Sequence, residues 1–226
     1  MNISEYILYE DADLIVCHKP AKIAVQTKKS GMQDMVSLLK NYLYKQMEVK
    51  KEPYLAVIHR LDQPVEGVLV FAKTPEAARE LNRQLQSTGF GKYYKAVLCG
   101  IPKKEEGHLC DYMKKDGKTN TSFIVDKSEK DAKKAILDYK VEEKNEEKNL
   151  SLVSIKLETG RHHQIRVQMS HLGCPIWGDT KYNPKMKEDK GWKQIALCAC
   201  ELEFTHPKTK KKMKFEVEPQ YELDKI

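Results

Sequence analysis

The sequence predicts a globular α+β protein. Its apolar run 68–71 is short, rich in Val and bounded by Gly67 and Lys73, which is typical of a central strand covered on both faces. Many further strand-like segments accompany two amphipathic helices. The chain has 226 residues, of which 40% are hydrophobic, so it can bury a sizeable core. We find no clean internal boundary and therefore expect a single domain over 1–226.

Local signals predict the individual helices and strands. Ser30 followed by Gln33 resembles a capping box, and apolar residues at helical spacing predict a helix over 32–46. Thr74 is an N-cap residue followed by proline, so a second helix begins there. The predicted strands are 6–9, 14–18, 91–100, 107–112, 119–126, 135–142, 152–157, 195–206 and 213–218. The charged stretch 142–149 predicts an exposed hairpin tip.

The charge balance favours an anionic partner. A net charge of +7 arises from 40 basic and 33 acidic residues, which suits RNA, although solubility alone would also explain it. Most of the basic residues are lysines, so an arginine indicates a place where a planar, bidentate cation is needed. The arginines are Arg60, Arg79, Arg83, Arg161 and Arg166. Three of these five lie in the two polar clusters described below.

The cysteines and the N-terminus predict a cytoplasmic protein. The six cysteines lack the spacing of a disulfide framework or a zinc knuckle, so we expect reduced thiols. The N-terminus carries acids and no apolar signal region, and no stretch approaches the length of a membrane span. Cys198, Cys200 and His206 are a weak metal candidate, since residues two apart on a strand share a face in any case. We expect no metal site.

The first polar cluster, His59, Arg60 and Asp62, directly precedes the central strand. Arg60 lies two residues from Asp62 and is the kind of partner that keeps a partly buried carboxylate ionised. Asp62 is therefore a candidate nucleophile or base. A solvated loop with a local salt bridge is the alternative explanation for this pattern.

The second polar cluster lies at the start of a predicted short helix within 159–173, for which Thr159 is a candidate cap. Its members are Arg161, His162, His163, Gln164 and Arg166. Cations are unfavourable at a helix N-terminus unless an anion is also present, so this cluster indicates function. A basic helix end in solvent is the alternative. The spacing of His163 and His171 does not fit a one-turn zinc pair.

Four segments together resemble the RluA-type family of RNA pseudouridine synthases, which isomerise uridine to pseudouridine in folded RNA. They are HRLD at 59–62 with GVLVFAKT at 67–74, KYYKAVLCG at 92–100, TGRHHQIRVQMSHLGCPIWGDTKY at 159–182, and ALCACELEFTHP at 196–207. They follow the family's order and spacing over nearly the whole chain. The stretch 7–20 resembles the family's opening strand pair, so no amino-terminal S4 module is expected.

The resemblance implies a mixed, mostly antiparallel β-sheet flanked by helices, the pseudouridine synthase fold. It makes Asp62 the catalytic nucleophile or base, Tyr94 the active-site tyrosine, and Arg166 the arginine paired with Asp62. Arg60 would help to displace the target base. The other substrate-binding residues that it implies are His59, Leu61, Arg161, His163, Gln164 and Leu197. The implied partner is ribosomal or transfer RNA, and we expect a monomer.

The implied reaction breaks the bond from C1′ to N1 of a uridine and joins C1′ to C5 of the same base. This rearrangement is redox-neutral, so neither a cofactor nor a metal is expected. A carboxylate can attack C1′ or assist removal of the 2′ hydrogen, and the sequence leaves both mechanisms open. Two other functions are alternatives: an inactive RNA-binding protein on the same scaffold, and a metal-dependent nucleotide hydrolase, for which the sequence lacks suitable ligand spacing.

The sequence departs from the family pattern near the first cluster. Val65 and Glu66 replace the family's Thr-Ser, and Lys22 replaces a glycine. An inward-pointing Glu66 would raise the pKa of Asp62 through like-charge repulsion. We therefore expect Glu66 to face outward or to be paired.

Overall fold

The computed structural model describes residues 1–29, 31–87, 89–186 and 194–226, with the backbone alone at residue 224. Within these residues the α-helices are α1 (Met35–Gln46), α2 (Pro75–Leu85) and α3 (Gln164–His171). The strands are β1 (Ile7–Glu10), β2 (Leu14–Lys19), β3 (Ala56–Val57), β4 (Glu66–Ala72), β5 (Gly91–Cys99), β6 (Glu106–Asp116), β7 (Thr121–Val125), β8 (Lys133–Asn145), β9 (Leu150–Leu157), β10 (Leu197–Thr205) and β11 (Lys212–Glu216). None of the described helices is long and apolar enough to cross a membrane.

Contacts divide the chain into two compact units. The first unit comprises residues 1–91 and 199–218, and the second unit comprises residues 92–198 and 219–226. Strand β10 contributes residues to both units. The prediction of a single domain stays a prediction.

In the first unit, β4 is the central strand. It pairs antiparallel with β2 and with the short β3, and it lies beside β10, which in turn pairs with β11. Every residue of β4 is buried, because side chains from both of its faces enter the core. Val68 and Val70 pack with Leu81 of α2 on one face. The predicted central strand is confirmed.

The caps explain where the first-unit helices begin. Helix α1 begins at Met35, three residues later than predicted, because Asp34 forms a capping box with Ser37. The Asp34 carboxylate accepts the Ser37 N–H at 2.7 Å, and the Ser37 hydroxyl accepts the Asp34 N–H at 3.1 Å. The predicted cap, Ser30, lies outside the described residues. Helix α2 begins as predicted, with Thr74 accepting the Ala77 N–H.

The second unit is built on an antiparallel sheet with the strand order β5-β9-β8-β6-β7. Strand β8 continues to Asn145, so the exposed turn before β9 spans 146–149 rather than the predicted 142–149. Residues 143–145 are strand because they pair with residues 150–152 at the start of β9. Helix α3 packs through Val167 against Met113 and Ala135 on one face of this sheet.

Each strand pair for which a register is described is antiparallel. Helices α2 and α3 pack against the strands of their own units. The predicted fold class, a mostly antiparallel sheet flanked by helices, is confirmed.

Candidate active site

The loop 58–65 connects β3 to β4 and carries Asp62. The Asp62 carbonyl accepts the Val65 N–H at 3.0 Å, so a tight turn immediately precedes β4. Ile58 and Leu61 are buried, while Asp62 is half-buried and Arg60 is exposed. Two apolar side chains therefore anchor the loop, with Asp62 half-buried and Arg60 exposed between and beside them.

His59 fastens this loop to the core of the first unit. Its Nε2 lies 3.4 Å from the Val70 N–H of β4 and accepts a long hydrogen bond there. Its ring lies edge-on to Phe90, with the centroids 5.5 Å apart. These contacts give His59 a positioning role in the loop. Its predicted role in substrate binding stays a prediction.

A buried lysine, Lys19, lies at the end of β2 and contacts the same loop through the Gln63 carbonyl. Its ammonium is fully buried and donates to the carbonyls of Pro20 at 3.0 Å, Ile23 at 2.8 Å and Gln63 at 3.2 Å. Burial lowers the pKa of Lys19 to about 7, and the negative charge of Asp62 opposes this shift. Asp62 thus lies within electrostatic reach of a buried cation.

Glu66, at the start of β4, is fully buried. The first of the two expected arrangements, an outward-facing Glu66, is therefore wrong, because β4 is covered on both faces. The negative charge of Glu66, like that of Asp62, raises the pKa of Lys19, so Glu66 also lies within reach of this cation. This proximity agrees with the paired alternative.

In the second unit, Tyr94 lies in the middle of β5 opposite Ile155 of β9. It is only 7% exposed, while its neighbour Tyr93 is half-buried. Because successive side chains of a strand alternate between faces, the two tyrosines lie on opposite faces of the sheet, as the sequence predicts.

Arg166 forms a buried bidentate ion pair with Asp179. Its Nε and Nη2 donate to the two carboxylate oxygens, each at 2.8 Å, and the two side chains are 5% and 0% exposed. The Asp179 carboxylate also accepts the N–H groups of Lys181 and Tyr182, which fixes its orientation. The predicted pairing of Arg166 with Asp62 stays a prediction, and the sequence did not suggest Asp179.

The residue before α3, His163, has a left-handed backbone with φ 56°. This conformation is uncommon for residues other than glycine and costs of order 1 kcal/mol, and it occurs often at functional sites. The His163 ring stacks on His162 with 3.7 Å between centroids, and its Nδ1 lies 2.7 Å from the Tyr182 hydroxyl. That hydroxyl accepts the Ser122 N–H at 2.8 Å, so its own proton can be donated to His163.

Gln164 and Arg161 organise the segment that leads into α3. The Gln164 Oε1 accepts the Arg161 N–H at 3.0 Å and the Thr159 hydroxyl at 2.7 Å. The Arg161 Nε donates to the Lys134 carbonyl at 2.7 Å, while the side chain stays exposed. The prediction that Thr159 caps α3 is wrong: the N-cap is His163, and Thr159 holds the Gln164 amide instead. Leu197, at the start of β10, is buried.

Two groups of His and acidic residues lie close enough together to hold a metal. One contains Asp11, Asp13 and His206, and the other contains the exposed His108 with Asp138 and Glu158. His206 is already occupied, because its Nδ1 accepts the N–H groups of residues 208 and 209 and its Nε2 contacts Asp11 at 2.7 Å. Both groups lie outside the two polar clusters.

Comparison with known proteins identifies the family. Residues 13–171 match the family model described as RNA pseudouridylate synthase. The chain is a member of the RluA-type family of RNA pseudouridine synthases. The predicted family and enzyme class are confirmed.

Individual relatives agree with this assignment. The synthase is 35% identical to a tRNA pseudouridine synthase C of Haemophilus ducreyi, over 92% of this chain and 88% of that one. It is 32% identical to a ribosomal large subunit pseudouridine synthase D of Pasteurella multocida, over 92% of this chain but only 65% of the relative. In structure it resembles human RNA pseudouridylate synthase domain containing 4, with a TM-score of 0.78 at 22% identity, covering 96% and 89% of the two chains.

The site residues predicted for this synthase are distributed over both units. His59, Arg60, Leu61 and Asp62 belong to the first unit, and Tyr94, Arg161, His163, Gln164, Arg166 and Leu197 belong to the second. The sequence did not suggest Lys19, Asp179 or Tyr182 as supporting residues. An available signal was the run GDTKY at 178–182, which lies within the segment that resembles the family.

Proposed function

We propose that this synthase converts specific uridines in structured ribosomal or transfer RNA to pseudouridine, with Asp62 as the catalytic carboxylate. The observation that carries this proposal is the way in which the surrounding loop holds Asp62 in place. Asp62 follows the buried Leu61 in a tight turn that the Lys19 ammonium holds through the Gln63 carbonyl. A half-buried carboxylate on a rigid support is what attack at C1′, or removal of the 2′ hydrogen, requires.

The remaining roles follow the same chemistry. Tyr94 would pack on the flipped uracil and take part in proton transfer, while Arg166 would balance the charge of the carboxylate. Arg60 is exposed beside Asp62, so it would enter the gap that the uridine leaves in the base stack. Extrusion of the base costs a few kcal/mol, which contacts of basic residues with RNA phosphates would offset.

The substrate class rests on the relatives. One is named for transfer RNA and another for the large ribosomal subunit. Mapping pseudouridines in total RNA from cells with and without the gene would identify the modified positions. We place the enzyme in the cytoplasm as a monomer, because the spacing of its six cysteines does not fit a disulfide framework and suits a reducing compartment.

The test is Asp62→Asn, which keeps the side-chain shape but removes the charge. We expect it to abolish pseudouridine formation while the fold and the RNA affinity stay near normal. Tritium release from RNA labelled at C5 of uridine reports turnover, and filter binding reports affinity. A variant that reacts at a near-normal single-turnover rate would remove Asp62 from the mechanism.

A matched control is Asp131→Asn. Asp131 is exposed and has a left-handed backbone with φ 66°, a conformation that asparagine tolerates as well as aspartate. The substitution makes the same chemical change as Asp62→Asn but lies away from both polar clusters. We expect the Asp131→Asn variant to turn over at the wild-type rate. Loss of activity in Asp62→Asn would then be due to the position of the carboxylate and not to the change in net charge.

A further inference from the structure

Lys92, the second residue of β5, is an unusual lysine. Its side chain lies on the same face of the strand as Tyr94, because the two residues are two apart. It is only 9% exposed, yet among the described residues none provides a hydrogen-bond acceptor or a carboxylate for its ammonium. A cation on so largely buried a side chain loses hydration, which is costly unless a ligand replaces the water.

A second cation lies near Lys92. Burial and then the charge of Arg161 lower the pKa of Lys92 below its usual value. Arg161 is held beside it, since its Nε donates to the Lys134 carbonyl and its N–H donates to Gln164. Two cations are thus fixed near one another, and neither has a carboxylate partner within the described part of the chain.

The backbone of Gly160 lies beside the Lys92 ammonium. A Cβ at Gly160 would lie 3.5 Å from the Lys92 Nζ, which is an ordinary van der Waals contact, so glycine leaves this side of the ammonium uncovered. Helix α3 begins shortly after Arg161, and its N-cap residue makes no side-chain capping hydrogen bond. The positive end of its dipole adds to the same field.

This arrangement suits an anion that arrives with the substrate. We propose that Lys92 and Arg161 form a binding site for one backbone phosphate of the RNA, next to the uridine that Tyr94 contacts. The phosphate supplies the acceptors that the Lys92 ammonium lacks and separates the charges of the two cations. The inference rests on the proposed function for the identity of the substrate, and it assigns a substrate-positioning role to Lys92.

The test compares Lys92→Met with Lys156→Met. Both changes replace a lysine by an uncharged chain of similar length, but Lys156 is exposed on β9. The probe is a synthetic stem–loop RNA with a single uridine in its loop, and its affinity is measured by filter binding over a range of salt concentrations. Because binding requires no turnover, the result does not depend on whether this RNA is isomerised.

We expect Lys92→Met to weaken binding roughly tenfold at low salt and to reduce the log–log salt slope by about 0.7, the value for one phosphate on a single strand. Lys156→Met should leave the slope unchanged. The melting temperature of Lys92→Met should not fall, because the lysine that is removed is largely buried and has no acceptor among the described residues. A slope equal to that of wild type would overturn the proposal.

A neutral methylphosphonate placed at each position in turn around the loop uridine locates the contact. We expect one position to weaken wild-type binding but not binding by Lys92→Met, because the contact is already lost in that variant. If every position affects both proteins equally, Lys92 touches no phosphate and the inference fails while the proposed function stands. If wild-type protein binds no RNA even at low salt, the proposed function fails as well.

Discussion

Replacing Lys19 with methionine should reveal a pH-dependent contribution of this residue to the stability of the protein. Methionine has a similar length and fills the same space, but it cannot donate to the three carbonyls that the ammonium contacts. Burial lowers the pKa of Lys19 from its ordinary value of 10.5 to about 7 in the folded protein. The variant removes this titration along with the hydrogen bonds.

The sign of the effect follows from proton binding. Between about pH 7 and 10.5 the unfolded chain holds a proton on Lys19 that the folded protein has released. The contribution of Lys19 to the free energy of unfolding therefore rises with pH across this window. A difference of one bound proton changes the free energy of unfolding by about 1.4 kcal/mol per pH unit. Near pH 7 the folded protein still holds part of this proton, so the free energy of unfolding rises by only about 2 kcal/mol between pH 7 and 9.

The assay is urea unfolding of wild type and Lys19→Met at several pH values from 7 to 9. The free energy of unfolding of wild type minus that of the variant should increase by about 2 kcal/mol over this range. Groups that titrate equally in both proteins cancel in the difference. A difference that does not change with pH would show that Lys19 stays charged in the folded protein, held by its carbonyl acceptors and by Asp62 and Glu66.

Two further predictions concern Arg166 and Gly67. Arg166→Lys keeps the charge but loses the bidentate pair with Asp179, so we expect single-turnover catalysis to slow by more than about tenfold with RNA affinity nearly intact; a loss of affinity in proportion to rate would make Arg166 a phosphate contact. Gly67→Ala should destabilise the protein by at least about 3 kcal/mol in urea unfolding, because φ is 137° and a Cβ would overlap the Ala199 backbone of β10. Gly117→Ala, with open space around it, is the control and should be nearly neutral.

The sequence alone determined the family and the main secondary structure. A motif such as HRLD at 59–62 consists of residues that are consecutive in the sequence, so it can be recognised without knowledge of the tertiary contacts. The apolar run before Lys73 predicted the buried β4 for a related reason, since a strand covered on both faces must be apolar throughout. Thr74 predicted the start of α2 because its cap involves neighbours in sequence.

Only the tertiary structure decided how the side chains of the site are supported. Lys19 contacts a carbonyl that lies 44 residues away along the chain, and the Gln164 amide contacts the Ile136 carbonyl 28 residues away. Asp179 reaches Arg166 from the loop after α3. Such contacts form when distant segments pack together, and burial then determines which polar groups must find a partner and which pKa values move. A sequence pattern records the residue types at these positions but not the packing that gives them their function.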